Sequence, residues 1–250
     1  MAEVKRFIDI HSHIIWGADD GAGSSSEAIA MLKKDRDEGA YAVFATPHYG
    51  KKSCFTPRAD GVMRNFAHLQ ELAALEVPEV TLYLGTEWYC TWELARSVRR
   101  NEAFRMNGTS YVLAEFYDEP AERITEDVLT LKEAGFLPIL AHPERYVSLQ
   151  DEKNYEVLRN LADAGILLQV NAYDLELNLS LKTKELARWL ARERLVSFIG
   201  SDMHGLEPYK REPRMREGIL WLYENTEKAY ADAVAFGNAE KLLKAHGTKS

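Results

Sequence analysis

The chain has 250 residues, 46% of them hydrophobic and 28% charged, and a formal net charge of −8. That acidity excludes a protein that gathers nucleic-acid backbones, because counterion release needs clustered Lys and Arg. No apolar run approaches the roughly 18 residues of a membrane span, and the length suits one α/β domain of barrel type.

The N-terminal MAEVKRFIDIHSH carries no signal-peptide core and runs straight into a strand pattern, so no export signal is expected. Cys54 and Cys90 fit neither a disulfide framework nor a zinc spacing, and a reducing cytoplasm is the expected compartment. Along the chain, short β-rich runs alternate with longer helical patterns. Phe7–Ile10 comes first, followed by a helix over Ser24–Glu38 that opens on capping serines with Glu27 three residues on. Tyr41–Thr46 then leads to a helix over Arg58–Leu75, and Val80–Gly85 to one over Thr91–Arg100. Tyr111–Ala114 precedes Glu122–Ala134, Leu137–Ala141 precedes Asp151–Ala164, and Ile166–Val170 precedes Ser180–Arg192. Leu195–Gly200 and Arg214–Tyr223 complete the series. The β-runs are almost continuously apolar, as strands buried on both faces of a parallel sheet must be. Gly39, Gly135 and Gly165 stand where helices should stop. Seven such units favour a closed parallel α/β architecture over an open sheet.

In a parallel barrel the functional groups collect at the C-terminal strand ends. Read in order, those ends are His11-Ser12-His13, Thr46-Pro47-His48, Gly85-Thr86-Glu87, Ala114-Glu115-Phe116, Ala141-His142-Pro143-Glu144-Arg145, Gln169-Val170-Asn171 and Ser201-Asp202-Met203-His204. Five of the seven histidines of the chain fall there; His68 sits mid-helix and His246 in the polar tail. Neutral imidazole with carboxylate is the donor set for manganese, iron or zinc, whereas magnesium and calcium prefer oxygen alone. Residues i and i+2 of a strand point the same way, so H-x-H turns two rings towards one ion. His11, His13, His48, Glu87, Glu115, His142, Asp202 and His204 make eight candidate ligands, too many for one ion and suited to two or three with bridging carboxylates.

The strings IDIHSHIIWGADDG, ATPHY, GTEWY, LAEF, LAHPERY, LQVN and IGSDMH, in order over residues 7–215, resemble the PHP (polymerase and histidinol phosphatase) superfamily. Within it the sequence is most similar to metal-dependent bacterial protein-tyrosine phosphatases of capsule and exopolysaccharide synthesis. The resemblance implies a distorted (β/α)7 barrel, a single domain over residues 1–250, holding two or three metal ions, commonly Mn2+, with iron or zinc as alternatives. It implies that His11, His13, Glu87 and Asp202 hold one metal, that Glu87, Glu115 and His142 hold a second, and that His48, His204 and either Asp19 or Asp20 hold a third. Arg145 matches the family's phosphate-contacting arginine; a second one corresponds to Arg211 after an apparent two-residue insertion, with Lys210 or Arg214 as substitutes. The implied reaction is attack of a metal-bridging hydroxide on phosphotyrosine, the substrate being the tail of a bacterial tyrosine autokinase, with Asp19 or Asp20 available to help the leaving group. A PHP phosphatase of a small phosphomonoester such as histidinol phosphate is the alternative. A catalytically silent metal-binding scaffold comes next, and an amidohydrolase would want a carbamylated lysine where Glu115 stands.

Two further patterns need placing. Cys90 to Arg96 matches the C-x5-R string of cysteine-dependent tyrosine phosphatases, but the intervening TWELA lacks the glycines that let backbone N–H groups wrap a phosphate. Tyr49, Trp88, Tyr89, Trp92, Phe116, Tyr117, Tyr146, Tyr173 and Tyr209 all lie near strand-end polar groups, where they either line a mouth for an aromatic substrate or pack the loops.

Overall fold

A computed structural model describes residues 6–50, 55–90, 104–116, 119–176, 180–207 and 210–245. The expected helix over 91–100, Cys54, Trp92, Arg96, Tyr117, Tyr209 and His246 lie outside the described residues.

Each expected strand forms, and two short ones join them. β1 (Phe7–Ser12), β2 (Ala40–Ala45) and β4 (Thr81–Leu84) make one parallel sheet; β3 (His48–Tyr49), β5 (Glu87–Tyr89), β6 (Tyr111–Glu115), β7 (Leu137–Ala141), β8 (Leu167–Asn171) and β9 (Val196–Gly200) make the other. β3 continues β2 past Thr46-Pro47, and β5 continues β4 past Gly85-Thr86. Proline has no N–H for the ladder, which accounts for the first break. The ends meet where Ser12 bridges Met203 in parallel and the Asp202 N–H donates to the His11 carbonyl at 2.8 Å. The chain is therefore an α/β barrel with seven strand positions.

Alternation along the strands separates two apolar layers. Ile8, Ile10, Ala42, Phe44, Leu113, Ile139, Ala141 and Phe198 fill the interior. Val43, Val112, Leu140, Leu168 and Ile199 face outwards, towards α1 (Ser25–Glu38), α2 (Ala59–Glu76), α3 (Ala121–Glu133), α4 (Tyr155–Asp163), α5 (Ala172–Glu176), α6 (Leu181–Arg192) and α7 (Met215–Asn225). The sequence reading of the helices stops at Tyr223. The chain goes on through α8 (Lys228–Asp232), a π-turn over Ala233–Gly237 and α9 (Asn238–Lys244), whose Ala239 and Leu242 close the interior layer. Ser24 caps α1 by accepting the Glu27 N–H, and Gly39 ends it at φ 122°, a left-handed value that favours glycine.

Candidate metal centre

The barrel mouth is built by irregular backbone. Pairing of β1 with β2 shifts register between Asp9 and Ser12. A shift of this kind re-aims side chains, and it turns His11 and His13 into the mouth after Ile8 and Ile10 have filled the floor. A Cβ on Gly200 would stand 2.6 Å from His11 Cβ, so β9 needs a glycine where that ring turns inwards. His142 and Asp202 hold left-handed φ values of 31° and 52° just past β7 and β9. Non-glycine residues pay about 1–3 kcal/mol for such conformations and keep them where surrounding structure compels it, typically at functional sites.

Glu87 is the hub. Its Oε2 lies 3.2 Å from His11 Nε2, 3.3 Å from His13 Nε2 and 2.9 Å from His48 Nδ1, and its Oε1 lies 2.8 Å from His142 Nε2. Asp202 Oδ1 stands 3.7 and 3.4 Å from the same two nitrogens of His11 and His13, which are 3.2 Å apart. Donors about 2.0–2.2 Å from one ion are separated by roughly 3.0–3.6 Å along the edges of a tetrahedron or octahedron, and His11, His13 and Asp202 offer one trio of donor atoms within 4.8 Å of one another. Three further trios of donors gather within 4.8 Å: His11–Glu87–His142, His48–Glu87–Glu115 and His13–His48–His204. Glu87 Oε2, His48 Nδ1 and His142 Nδ1 are buried without an aligned hydrogen bond. All eight expected ligands are thus brought together, and the chemistry of the set fits more than one ion.

The clustered charges shift one another's protonation. Burial together with the neighbouring Glu87 raises the Glu115 carboxyl to about 8. Burial and the nearby His13 lower His204 to about 2. Burial disfavours the His13 cation too, but Asp19 outweighs it and holds His13 well above the usual imidazole range.

The two aspartates of the DDG loop point in different directions. Asp19 is buried behind the cluster: its Oδ2 lies 2.7 Å from His13 Nδ1 and accepts the His48 N–H at 2.8 Å, while Oδ1 accepts the Gly21 N–H. The oxygens of Asp19, one of the two loop carboxylates expected as a candidate ligand, thus meet His13, His48 and Gly21. Asp20 faces the cluster, with Oδ1 3.6 Å from His204 Nε2 and 3.8 Å from His48 Nε2. Gly21 is required by contact, since a Cβ there would stand 2.0 Å from the His13 carbonyl oxygen.

Above the cluster opens a cleft of about 490 Å³ lined by Asp20, His48, Glu115, Phe116, His142, Arg145, Tyr146, Val147, Asp202, His204 and Arg211. Arg145 is clamped by Asp174, to which Nε and a terminal nitrogen donate at 2.6 and 3.1 Å, and its other terminal nitrogen reaches Asp202 at 3.4 Å. Arg211 donates to Asp202 Oδ1 at 2.8 Å and to the Asp202 carbonyl at 2.9 Å. Lys210 turns away to donate to the Gly21 carbonyl, and Arg214 pairs with Glu217 outside the cleft, so Arg211 is the basic residue of its loop that reaches the mouth. Asp174 was missed in the sequence; its only signal was its place three residues beyond a strand end.

Most of the aromatic rim packs the loops. Trp88 and Tyr89 are buried. Tyr49 rests edge-on against Trp88, and buried Tyr146 donates to the Ala141 carbonyl at 2.6 Å while accepting the Phe116 N–H at 3.1 Å. Only Phe116 and Tyr146, of those in the described residues, line the cleft. Cys90 is buried, outside the cleft lining, and burial with Asp127 and Glu115 nearby pushes its thiol well up, the reverse of an activated nucleophile.

Residues 7–244 match the capsular polysaccharide synthesis family CpsB/CapC. The chain belongs to this family. Tyrosine-protein phosphatase CpsB of Streptococcus pneumoniae is 31% identical over 242 residues, 94% of this chain and 98% of that protein. Tyrosine-protein phosphatase YwqE of Bacillus subtilis is 28% identical over 249 residues, 95% of this chain and 91% of that protein. Among solved structures, one from a study of B. subtilis YwqE and S. pneumoniae CpsB, described as unique metal-dependent tyrosine phosphatases, superposes with a TM-score of 0.85 at 25% identity, covering 96% of this chain and 95% of that one. A phosphotriesterase from Mycobacterium tuberculosis shares the barrel fold alone, at TM-score 0.62 and 10% identity. No helix in the described part of this CpsB/CapC chain is long and apolar enough to cross a membrane.

Proposed function

We propose that this chain is a metal-dependent protein-tyrosine phosphatase, hydrolysing phosphotyrosine on a bacterial tyrosine autokinase in the cytoplasm during capsule or exopolysaccharide synthesis. The observation that carries it is Glu87, with its two oxygens shared among four imidazoles beneath a cleft that presents two arginines. His11, His13, Glu87 and Asp202 would hold one ion, Glu87, Glu115 and His142 a second, and His48, His204 and Asp20 a third. Manganese is the proposed metal, with iron or zinc compatible with the donors. Ions held there supply Lewis acidity and bring the pKa of a coordinated water from about 15.7 towards 7.

The chain's own groups do the rest. Arg145 and Arg211 meet the equatorial phosphoryl oxygens, where a planar guanidinium can donate in pairs. Asp174 fixes the Arg145 plane in advance, so little reorganisation accompanies charge development. The leaving phenol has a pKa of about 10, so proton donation is less demanding than for an alkyl ester. The deciding assay is hydrolysis of a phosphotyrosine peptide beside histidinol phosphate, after chelation and with Mn2+ or Zn2+ restored. Metal-dependent turnover with preference for the peptide is expected. Preference for histidinol phosphate would transfer the enzyme to the small-molecule branch, and no turnover with either would overturn the reading.

A further inference from the structure

β8 is the one strand position that ends without a His or carboxylate, ending instead in two carboxamides, Gln169 and Asn171, both fully buried. Their partners form a directed chain. The backbone N–H of His142 can only donate, and it meets Gln169 Oε1 at 3.3 Å. That contact fixes which end of the Gln169 amide is oxygen. The same oxygen lies 3.1 Å from His11 Nδ1, so Nδ1 must carry a proton and donate it. The amide nitrogen of Gln169 consequently points the other way and donates to Asn171 Oδ1 at 2.8 Å. This fixes Asn171 in turn, whose nitrogen donates to Asp202 Oδ2 at 3.0 Å.

We propose that Gln169 and Asn171 are positioning residues of the metal centre: Gln169 sets the His11 tautomer so that Nε2 presents its lone pair to the cluster, and Asn171 holds Asp202 by Oδ2 so that Oδ1 faces the cluster. The inference rests on reading His11 and Asp202 as metal ligands. A carboxylate could replace the acceptor half of Gln169 but not the donor half, and a second carboxylate at 171 would face Asp202 with like charge. Carboxamides supply both directions without adding charge to a site already crowded with anions.

The test measures Mn2+ binding to chelated protein, with free Mn2+ followed by its EPR signal, and the melting temperature of each chelated variant. Gln169→Met keeps the bulk and removes all three hydrogen bonds of the side chain, and is expected to weaken the tightest site about 10- to 100-fold. Gln169→Glu keeps the acceptor for His11 but not the donor to Asn171, and is expected to recover part of that loss. Wild-type affinity in Gln169→Met, or a Glu variant as impaired as the Met variant, would overturn the proposal. Histidine 15N spectra of the zinc-loaded wild-type protein read the tautomer directly, whatever the variants' folding: a proton on Nδ1 and zinc on Nε2 of His11 are expected, and coordination through Nδ1 would overturn the proposal. A wild-type protein that binds neither metal would instead remove the metal reading itself, and this inference with it.

Discussion

Asp19 grips His13 from behind the cluster, its Oδ2 lying 2.7 Å from the ring nitrogen that points away from Glu87 and Asp202. The next residue, Asp20, turns its carboxylate into the mouth. Substitution should separate their roles. Asp19→Asn removes a buried charge-assisted contact that orients two rings, and should weaken metal binding about 10- to 100-fold while lowering the melting temperature. Asp20→Asn, at a more exposed side chain, should leave the melting temperature of the chelated protein unchanged and lower turnover. Calorimetry beside metal titration checks this, and the reverse ranking in melting temperature would contradict the assignment.

Asp174 reaches the substrate only through Arg145. Arg145→Ala should lower kcat/KM about 10²- to 10³-fold, the scale of losing one preorganised donor to transition-state charge. Arg145→Lys should recover little, because an ammonium cannot match a planar fork already seated on Asp174. Asp174→Asn should raise KM more than it lowers metal affinity. A lysine variant with near wild-type kcat/KM would count against the forked contact.

Cys90 offers the sharpest separation from cysteine-dependent chemistry. Cys90→Ser should retain metal-dependent activity within a few-fold, at a stability cost of about 1–3 kcal/mol for placing a hydroxyl in an apolar pocket. Iodoacetamide inactivation that tracks loss of turnover would argue the other way.

Asp35, buried on α1 with both carboxyl oxygens unbonded, gives a pH signature. Burial, with Asp9 and Glu38 nearby, holds its folded pKa well above the ordinary value of 3.8. The folded state therefore keeps a proton that the unfolded chain releases, and the Asp35 contribution to stability falls as pH rises from about 4 to the folded value. The slope is about 1.4 kcal/mol per pH unit. Asp35→Asn keeps the size and removes the ionisation. Urea midpoints of chelated protein should show the variant gaining on the wild type as pH rises, with the two converging below pH 4. A difference independent of pH would show that Asp35 does not titrate in this way.

Much of the site was legible because strand ends carry chemistry in a parallel barrel. The histidines at 11, 13, 48, 142 and 204 sit directly after apolar runs, and chain order alone assigns them to one rim. The caps of α1 and the glycine that stops it are local interactions, and their short range explains why they could be read. The C-terminal helices were not anticipated, since the face that buries Ala239 and Leu242 is apolar only in relation to the barrel floor it closes.

The sequence by itself determined which residue types meet at the mouth, because the apolar strand runs and the order of β-α units put each strand end at the same rim. Only the tertiary structure shows Asp19 turned behind the cluster and Asp20 towards it, Arg211 rather than Lys210 or Arg214 lining the cleft, and which way the Gln169 and Asn171 amides run. The physical reason is that adjacent residues in a loop share composition and spacing yet point in opposite directions. Direction is set by what packs behind them: the His13 backbone against Gly21, the His48 N–H against Asp19, and the His142 N–H against Gln169.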